Sequence, residues 1–552
     1  MDYKKEYDRW VSNARVPELV DELCSMNDKQ MEDAFYRDLS FGTGGLRGII
    51  GAGTNRMNVY VVAKASQGLA NYLGTGSSVV IGYDSRIKSE VFARTAASVF
   101  AANGIVVHFW PQLLPVSTVS FATRELKASA GVMITASHNP SKYNGYKVYG
   151  ADGSQITTEA AETILTEIEK LDIFVDVKTV DFDEAVKDGI VNYIGLDVLT
   201  NFIDAVKNQS VLFGDEVNRD VAIVYSPLNG TGLVPVIRVL EETGFTNITV
   251  VEEQEQPDGK FPTCPYPNPE IREAMMLGIE YARKHNADLL LATDPDCDRC
   301  GIAVKDGGDY KLLSGNEVGL LMLDYVCSRR LATGMMPPEP VFVKTIVTMD
   351  LAERIADHYG VSTRNVLTGF KFIGEQIGLL EKQSKVDSYI CGFEESYGYL
   401  TGSYVRDKDG VNAAFMICEM FAYYKTKGIT LLDKLNELYN TYGYCLNTLH
   451  SYEFDGSVGF SKMQSIMATF RSGIDSIGSM KILHTLDYAQ GLDGLPKSDV
   501  LKFILENTCS VVVRPSGTEP KLKVYLSVSG ENEKTAKQTE EMLAKHLNEY
   551  FM

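Results

Sequence analysis

Apolar runs that stop at polar or glycine-rich turns recur along this chain, and they constrain its fold more than any other feature. They include "SSVVIGYDSR", "GVMITASHNP", "DVAIVYSPLNGTG", "ADLLLATDPDCDR", "PVFVKTIVT", "SYICGFEES" and "SVVVRPSGTE". Helix-like stretches alternate with several of them. In "SEVFARTAASVFAANG" Val91, Phe92, Ala96, Val99 and Phe100 recur at helical spacing; Ser89 is the expected N-cap and Gly104 the stop. A last helix is expected within "NEKTAKQTEEMLAKHLNEY". Such alternation predicts α/β units with mixed or parallel sheets, whose ligands gather beyond the carboxyl ends of strands.

Four strand-end loops stand out, around Ser137, Asp294, Glu394 and Arg514. Each lies roughly 100 to 160 residues from the next, about one domain length. A chain of 552 residues is too long for one core. The simplest organisation is four domains that each offer one loop to a shared cleft.

The formal charge of -20 argues against a general nucleic-acid surface. An anionic small substrate would need its own cluster of Arg and Lys. No run of eighteen apolar residues is present, and "MDYKKEYDRW" has no apolar signal region, so a cytoplasmic location without membrane contact is expected. Nine cysteines are scattered; only Cys297 and Cys300 form a C-x-x-C pair, with no second pair to complete a zinc site. They read as buried thiols.

The loops carry different chemistry. In "TASHNPSKYNGYK" Ser137 is a weak nucleophile that needs help, and its context is not the G-x-S-x-G of an acyl hydrolase. His138 is its neighbour and Lys147 a nearby cation; alone, the serine reads as a turn residue. In "TDPDCDR" Asp294, Asp296 and Asp298 alternate, so an extended segment would point them to one side. Three such carboxylates suit a hard divalent cation. An EF-hand is excluded, because its glycine and glutamate positions hold Arg299 and Lys305. Arg299 beside the acids points to a phosphate near the metal.

In "GFEESYGY" Glu394, Glu395 and Ser396 offer partners for sugar hydroxyls, although alone the segment is an ordinary polar loop. A glycosidase would also use two carboxylates, but nothing else of such a site is present. In "RPSGTEPKLKVY" Arg514 supplies a fork matched to phosphate, Ser516 and Thr518 hydroxyl donors, and Gly517 a turn that lets backbone N–H groups face inward. Lys521 and Lys523 add charge. The early "FGTGGLRG" is not a dinucleotide fingerprint and reads as a flexible loop that carries Arg47 to a phosphate.

Together, "FGTGGLRG", "GYDSR", "TASHNPSKYNGYK", "SPLNGTG", "DPDCDR", "TGFKFIGE", "GFEESYGY", "RDKDGV" and "RPSGTEPK" occur in the order found in the α-D-phosphohexomutases, and the chain resembles that family of phosphoglucomutases and phosphomannomutases. The resemblance implies three related α/β domains and a C-terminal α+β domain around a central cleft, placed at residues 1–208, 209–325, 326–440 and 441–552. It implies that Ser137 carries a phosphoryl group and completes a Mg²⁺ shell with Asp294, Asp296 and Asp298. It places Lys147, Arg47 and His138 at the reacting centre. Glu394 and Ser396 fall at sugar-reading positions, and Arg514, Ser516, Gly517 and Thr518 at the loop gripping the other phosphate. Arg299 and Lys371 are further substrate contacts.

Some bacterial members carry histidine where this chain has Phe370, followed by Lys371, which favours the branch with glucose and pentose mutases. The implied activity interconverts glucose 1-phosphate and glucose 6-phosphate, with glucose 1,6-bisphosphate as intermediate and activator. A pentose or mannose phosphate is the alternative substrate. A metal-dependent sugar phosphatase, or an inert sugar-phosphate sensor, is the rival reading. A monomer or homodimer is expected.

Overall fold

The computed structural model describes residues 2–42, 44–454, 456–492, 494–516 and 521–551. They form four sheets in chain order. In the first, Ser78–Tyr83, Val106–Phe109, Ala130–Ile134 and Val191–Tyr193 run parallel, and Tyr143–Gly150 and Gly45–Ile49 add antiparallel strands on one side. The second centres on Leu289–Thr293, parallel to Ile223–Ser226 and antiparallel to Cys300–Asp306. The third centres on Val341–Thr345, parallel to Ser362–Val366 and Tyr389–Glu394. Every residue of Ala130–Ile134, Leu289–Thr293 and Val341–Thr345 is buried. That is why these strands are mostly apolar, with helices covering both faces; Lys344 in the third is the buried charged exception.

The fourth sheet is antiparallel throughout, from Tyr444–Glu453 through Lys521–Gly530, Ser510–Pro515, Leu501–Leu505 and Met480–Asp487 to Ser476–Ile477. Helices Gly456–Arg471 and Glu533–Phe551 accompany it, the second as expected. Three α/β units and a C-terminal α+β unit are therefore present.

Two local expectations, the Ser89 cap and the Val91 core position, need correction. Helix Ser89–Ala102 begins at Ser89, which does not cap it: Lys88 takes the cap position at φ 68°, and the Ser89 hydroxyl donates to Asp84 Oδ1 at 2.6 Å. Val91 turns to solvent while Phe92, Ala96, Val99 and Phe100 are buried. The proposed division at 325/326 falls inside helix Gly315–Ala332, and that at 440/441 inside the last turn of Leu431–Tyr442. The nine cysteines are free thiols and eight are buried; burial pushes the Cys297 and Cys300 thiols up.

The first three units share packing. One apolar cluster runs from Trp110 and Val119 through Ile223 and Leu291 to Phe342 and Phe393. The fourth has its own core, built on Met467, Phe470, Leu501, Val511 and Leu526. A small cluster joins it to the third unit, where Ile346, Val347 and Leu367 meet Val500, Val512 and Tyr525. Beside it, Asp350 accepts from Lys344 Nζ at 3.3 Å and from Lys502 Nζ at 2.8 Å, and Ser510 donates to its other oxygen. Lys344 is wholly buried and also pairs with Glu353 at 3.0 Å.

Asp350 is the hub of this junction. Burial alone would raise its carboxyl, but Lys502 and Lys344 outweigh that and hold it below the usual carboxylate range. Its contribution to stability is therefore present above the unfolded-state value, about 4, and is lost as pH falls through the depressed folded value. Asp350→Ala leaves Lys344 and Lys502 short of an anion. It should cost about 3 kcal/mol in denaturant unfolding at neutral pH, with the difference from the parent protein shrinking in acid.

Candidate active site

Strand Ala130–Ile134 delivers the first loop. Ser137 follows it, buried, with φ at 50° and its N–H donating to Thr135 Oγ1 at 2.8 Å. Arg86 holds the loop from behind. Its guanidinium donates to the carbonyls of Ser137, Asn139, Pro140 and Tyr143, the last two at 3.0 and 3.1 Å. Asp84 pairs with Arg86 at 3.4 Å, and both side chains are fully buried. The Phe261 ring of the second unit lies 5.1 Å from the same guanidinium. The left-handed Ser137 is thus held by four carbonyl anchors and one hydroxyl.

From there the Ser137 hydroxyl donates to Asp294 Oδ2 at 2.8 Å and sits 3.2 Å from His138 Nδ1. Burial, with Arg299 and Arg47 nearby, lowers the His138 pKa well below its ordinary value, so its ring is neutral at pH 7.

The three aspartates are buried, and one oxygen of each lies within 4.8 Å of the others. An extended backbone does not bring them together, as the alternation implied; a tight turn does, with Cys297 at φ 52°. Glycines let neighbours close on that turn: a Cβ on Gly230 would lie 2.4 Å from Pro295 Cα, and one on Gly410 2.6 Å from the Cys297 carbonyl oxygen. Asp294 Oδ1 accepts the N–H groups of Asp298 and Arg299, both at 3.0 Å.

Lys147 reaches Asp296 at 2.9 Å and Asp298 at 3.4 Å; Lys408 reaches Asp298 at 2.9 Å. Burial, Asp298 and Asp296 together push Asp294 well up. For Asp296, burial acts the same way but Lys147 and Lys408 outweigh it and hold the carboxyl down. Asp296 Oδ1 and Asp298 Oδ1 are buried and make no hydrogen bond among the described residues. Two orphaned carboxylate oxygens inside a cluster of three are what a hard cation would satisfy, so these residues could hold a metal ion.

Glu394 closes strand Tyr389–Glu394, buried, and accepts the Gly369 N–H at 3.0 Å. Burial pushes its carboxyl up to about 7 despite Lys408. Phe370 packs into the core and Lys371 turns to the cleft, where burial lowers its ammonium. Arg514 is the penultimate residue of strand Ser510–Pro515 and donates to Tyr525 Oη at 3.2 Å. Ser516 follows, its N–H on the Lys521 carbonyl at 2.7 Å. Gly517 and Thr518 lie outside the described residues.

One cavity of about 570 Å³ is lined by Arg47, Ser137, His138, Lys147, Asp298 and Arg299 on one side and by Lys371, Glu394, Ser396 and Arg514 on the other. Arg47 reaches it on strand Gly45–Ile49 and donates to Asn139 Oδ1 at 3.2 Å. Loops from all four units therefore meet there. A larger cavity of about 930 Å³ touches it at Gln155 and Lys371 but holds neither Ser137 nor the aspartates. The smaller one, lined by Ser137 and Asp298, is therefore the candidate site.

Sequence reading missed three participants. Lys408 sits in "RDKDGV" and pairs across units with Asp298. Glu270 binds Arg299. Arg86 holds the serine loop. A charged residue within a strand-end motif was the available signal for Lys408 and Arg86; Glu270 offered none. Glu395, read with Glu394 as a sugar partner, accepts from Thr345 and Thr348.

Four segments match the phosphoglucomutase/phosphomannomutase family: alpha/beta/alpha domains I, II and III at residues 38–173, 200–308 and 314–442, and the C-terminal domain at 481–546. A phosphoglucomutase of Staphylococcus saprophyticus is 36% identical over 541 residues, covering 95% of this chain and 96% of its own. One from Staphylococcus aureus is 35% identical over 539 residues, covering 95% of each. Among solved structures, the open form of the Paramecium phosphoglucomutase parafusin has a TM-score of 0.71 at 17% identity, over 94% of this chain and 96% of that one. A putative phosphomannomutase from Thermus thermophilus has a TM-score of 0.69 at 21%, over 93% and 99%. These two likenesses concern the fold alone.

Arg86→Met would strip the serine loop of its carbonyl anchors and leave Asp84 an unpaired buried carboxylate, at a cost of roughly 3–5 kcal/mol. Amide exchange over residues 135–144 should accelerate more than in strand Leu289–Thr293. Equal acceleration in both would mean that Arg86 stabilises the unit without shaping the loop.

Proposed function

The chain belongs to the phosphoglucomutase/phosphomannomutase family, and we propose that it interconverts α-D-glucose 1-phosphate and glucose 6-phosphate through a phosphorylated Ser137. The contact of Ser137 with Asp294 at the centre of a cleft ringed by cations carries this reading. No helix of the described residues is long and apolar enough to cross a membrane.

In the proposed reaction, the phosphoryl group on Ser137 passes to the free hydroxyl of the sugar phosphate. The resulting glucose 1,6-bisphosphate turns over within the cleft and returns its other phosphate to Ser137. Such transfer needs positioning and charge neutralisation more than covalent activation. Mg²⁺ held by Asp294, Asp296 and Asp298 would neutralise charge on the moving group. Lys147 is placed to take the proton of the attacking hydroxyl. Asp296 and Asp298 keep its ammonium charged, so it can act as a base only when those carboxylates are engaged elsewhere. Arg47 and neutral His138 flank the serine; Arg299 and Lys371 contact the reacting end of the substrate.

Glu394 and Ser396 read the sugar hydroxyls. Arg514, with Ser516, Gly517 and Thr518, grips the phosphate that is not transferred, so its binding energy orients the reacting end. A phosphatase has no use for that second grip. The fourth unit, joined by a small apolar cluster, is the one that would close over the cleft and exclude water. We place the unit boundaries before Gly315 and after Tyr442, at helix ends. The same machinery would serve a pentose or mannose phosphate. We propose a cytoplasmic monomer or homodimer.

Ser137→Ala should abolish turnover, followed by phosphorus NMR with glucose 1-phosphate, Mg²⁺ and a trace of bisphosphate, while leaving the protein folded at a cost of about 1–3 kcal/mol for the lost Asp294 contact. Near-normal conversion would sink the carrier role. Arg514→Ala should raise KM about ten- to a hundredfold, the worth of a charge-assisted phosphate contact; an unchanged KM and kcat would take the fourth unit out of the site.

A further inference from the structure

Glu270 precedes helix Arg272–His285 and is assigned no part in the reaction above, yet it lines the active cavity. Its Oε1 accepts from Arg299 Nη1. The two side chains are held differently. The Arg299 backbone is anchored on Asp294, and its side chain is 14% exposed. The Glu270 backbone is also fixed: its N–H donates to Asn268 Oδ1 at 3.1 Å, and Pro269 packs where a Cβ on Gly301 would stand 2.7 Å from Pro269 Cβ. The Glu270 carboxylate, in contrast, lies at the cleft mouth with its side chain 31% exposed. It can swing into water at little cost.

Arg299 is only partly satisfied by this partner. Its Nε is buried, makes no hydrogen bond among the described residues and stands 3.9 Å from Asp298 Oδ1, so Glu270 fills only one edge of a guanidinium that lines the cavity. A phosphoryl group, with more charge and three acceptor oxygens, would engage that fork better than a single carboxylate. When the phosphate left, Arg299, buried beside Arg47, would keep only the looser pair with Asp298 and the fields of Glu394 and Glu395, and a direct partner would again be favoured.

We infer that Glu270 is an exchange partner for the substrate's phosphoryl group: it occupies Arg299 when no phosphate does, and yields it when one arrives. This rests on reading Arg299 as a substrate contact. In a reaction whose bisphosphate must let go and rebind reversed, a competing carboxylate weakens the grip and eases release.

Glucose 1,6-bisphosphate titrated calorimetrically into the Mg²⁺-loaded protein tests this. Glu270→Gln keeps the side-chain shape and removes the competing charge. It should tighten binding about fivefold, the scale of a partly exposed ion pair, and should lower KM and kcat together. Glu270→Ala should shift affinity in the same direction. Unchanged or weaker binding in both variants would overturn the exchange. If Arg299→Ala also fails to weaken binding, the reading of Arg299 falls with it; if Arg299→Ala weakens binding while the Glu270 variants do not tighten it, only the exchange is lost.

Discussion

Three carboxylates buried within 4.8 Å of one another are the constraint on which the rest of this molecule depends. Asp294, Asp296 and Asp298 cannot all stay ionised away from water without cations. The chain supplies two from other units, Lys147 from the first and Lys408 from the third. The Ser137 hydroxyl donates into the same cluster. The electrostatic problem of one loop thus binds three sheets together, and the apolar cluster continuous through those units supports the same arrangement. A charge that must be compensated from a distance aligns the parts that carry the compensation.

The fourth unit is treated differently. It keeps a core of its own and meets the third through seven buried apolar residues and the ion pairs on Asp350. A modest junction of this kind permits motion, because few contacts must break together. Arg514 rides on that unit, and the aspartates sit in the second of the three units that share one apolar cluster. In the proposed reaction the cleft would therefore combine a reacting centre in the first three units with a phosphate grip carried on the fourth.

The strand-end loops were legible because strands buried on both faces are mostly apolar, so charges clustered at their ends stand out. Ser137, Asp294, Glu394 and Arg514 were found this way and line or adjoin one cavity. Local geometry was less legible. Ser89 looked like a cap but bonds Asp84, because Asp84 also has to hold Arg86. The aspartates looked like one face of an extended segment but converge through a turn that needs Gly230 and Gly410 from elsewhere. Arg86, Lys408 and Glu270 act on residues 51, 110 and 29 positions away, and periodicity carries no record of such contacts. Once the helix was placed, Phe370 proved to be a buried core residue, and both it and the more exposed Lys371 line the cleft.

The central claim is that Ser137 carries the phosphoryl group between substrate and product. Its most direct test is a single turnover of protein phosphorylated beforehand, followed by mass spectrometry of the peptide that contains Ser137 and of the sugar pool. The account predicts that glucose 1-phosphate removes the phosphoryl group from Ser137 and that the bisphosphate appears at the same rate. Release of that group as free phosphate, or its retention on Ser137 while glucose 6-phosphate forms, would contradict it.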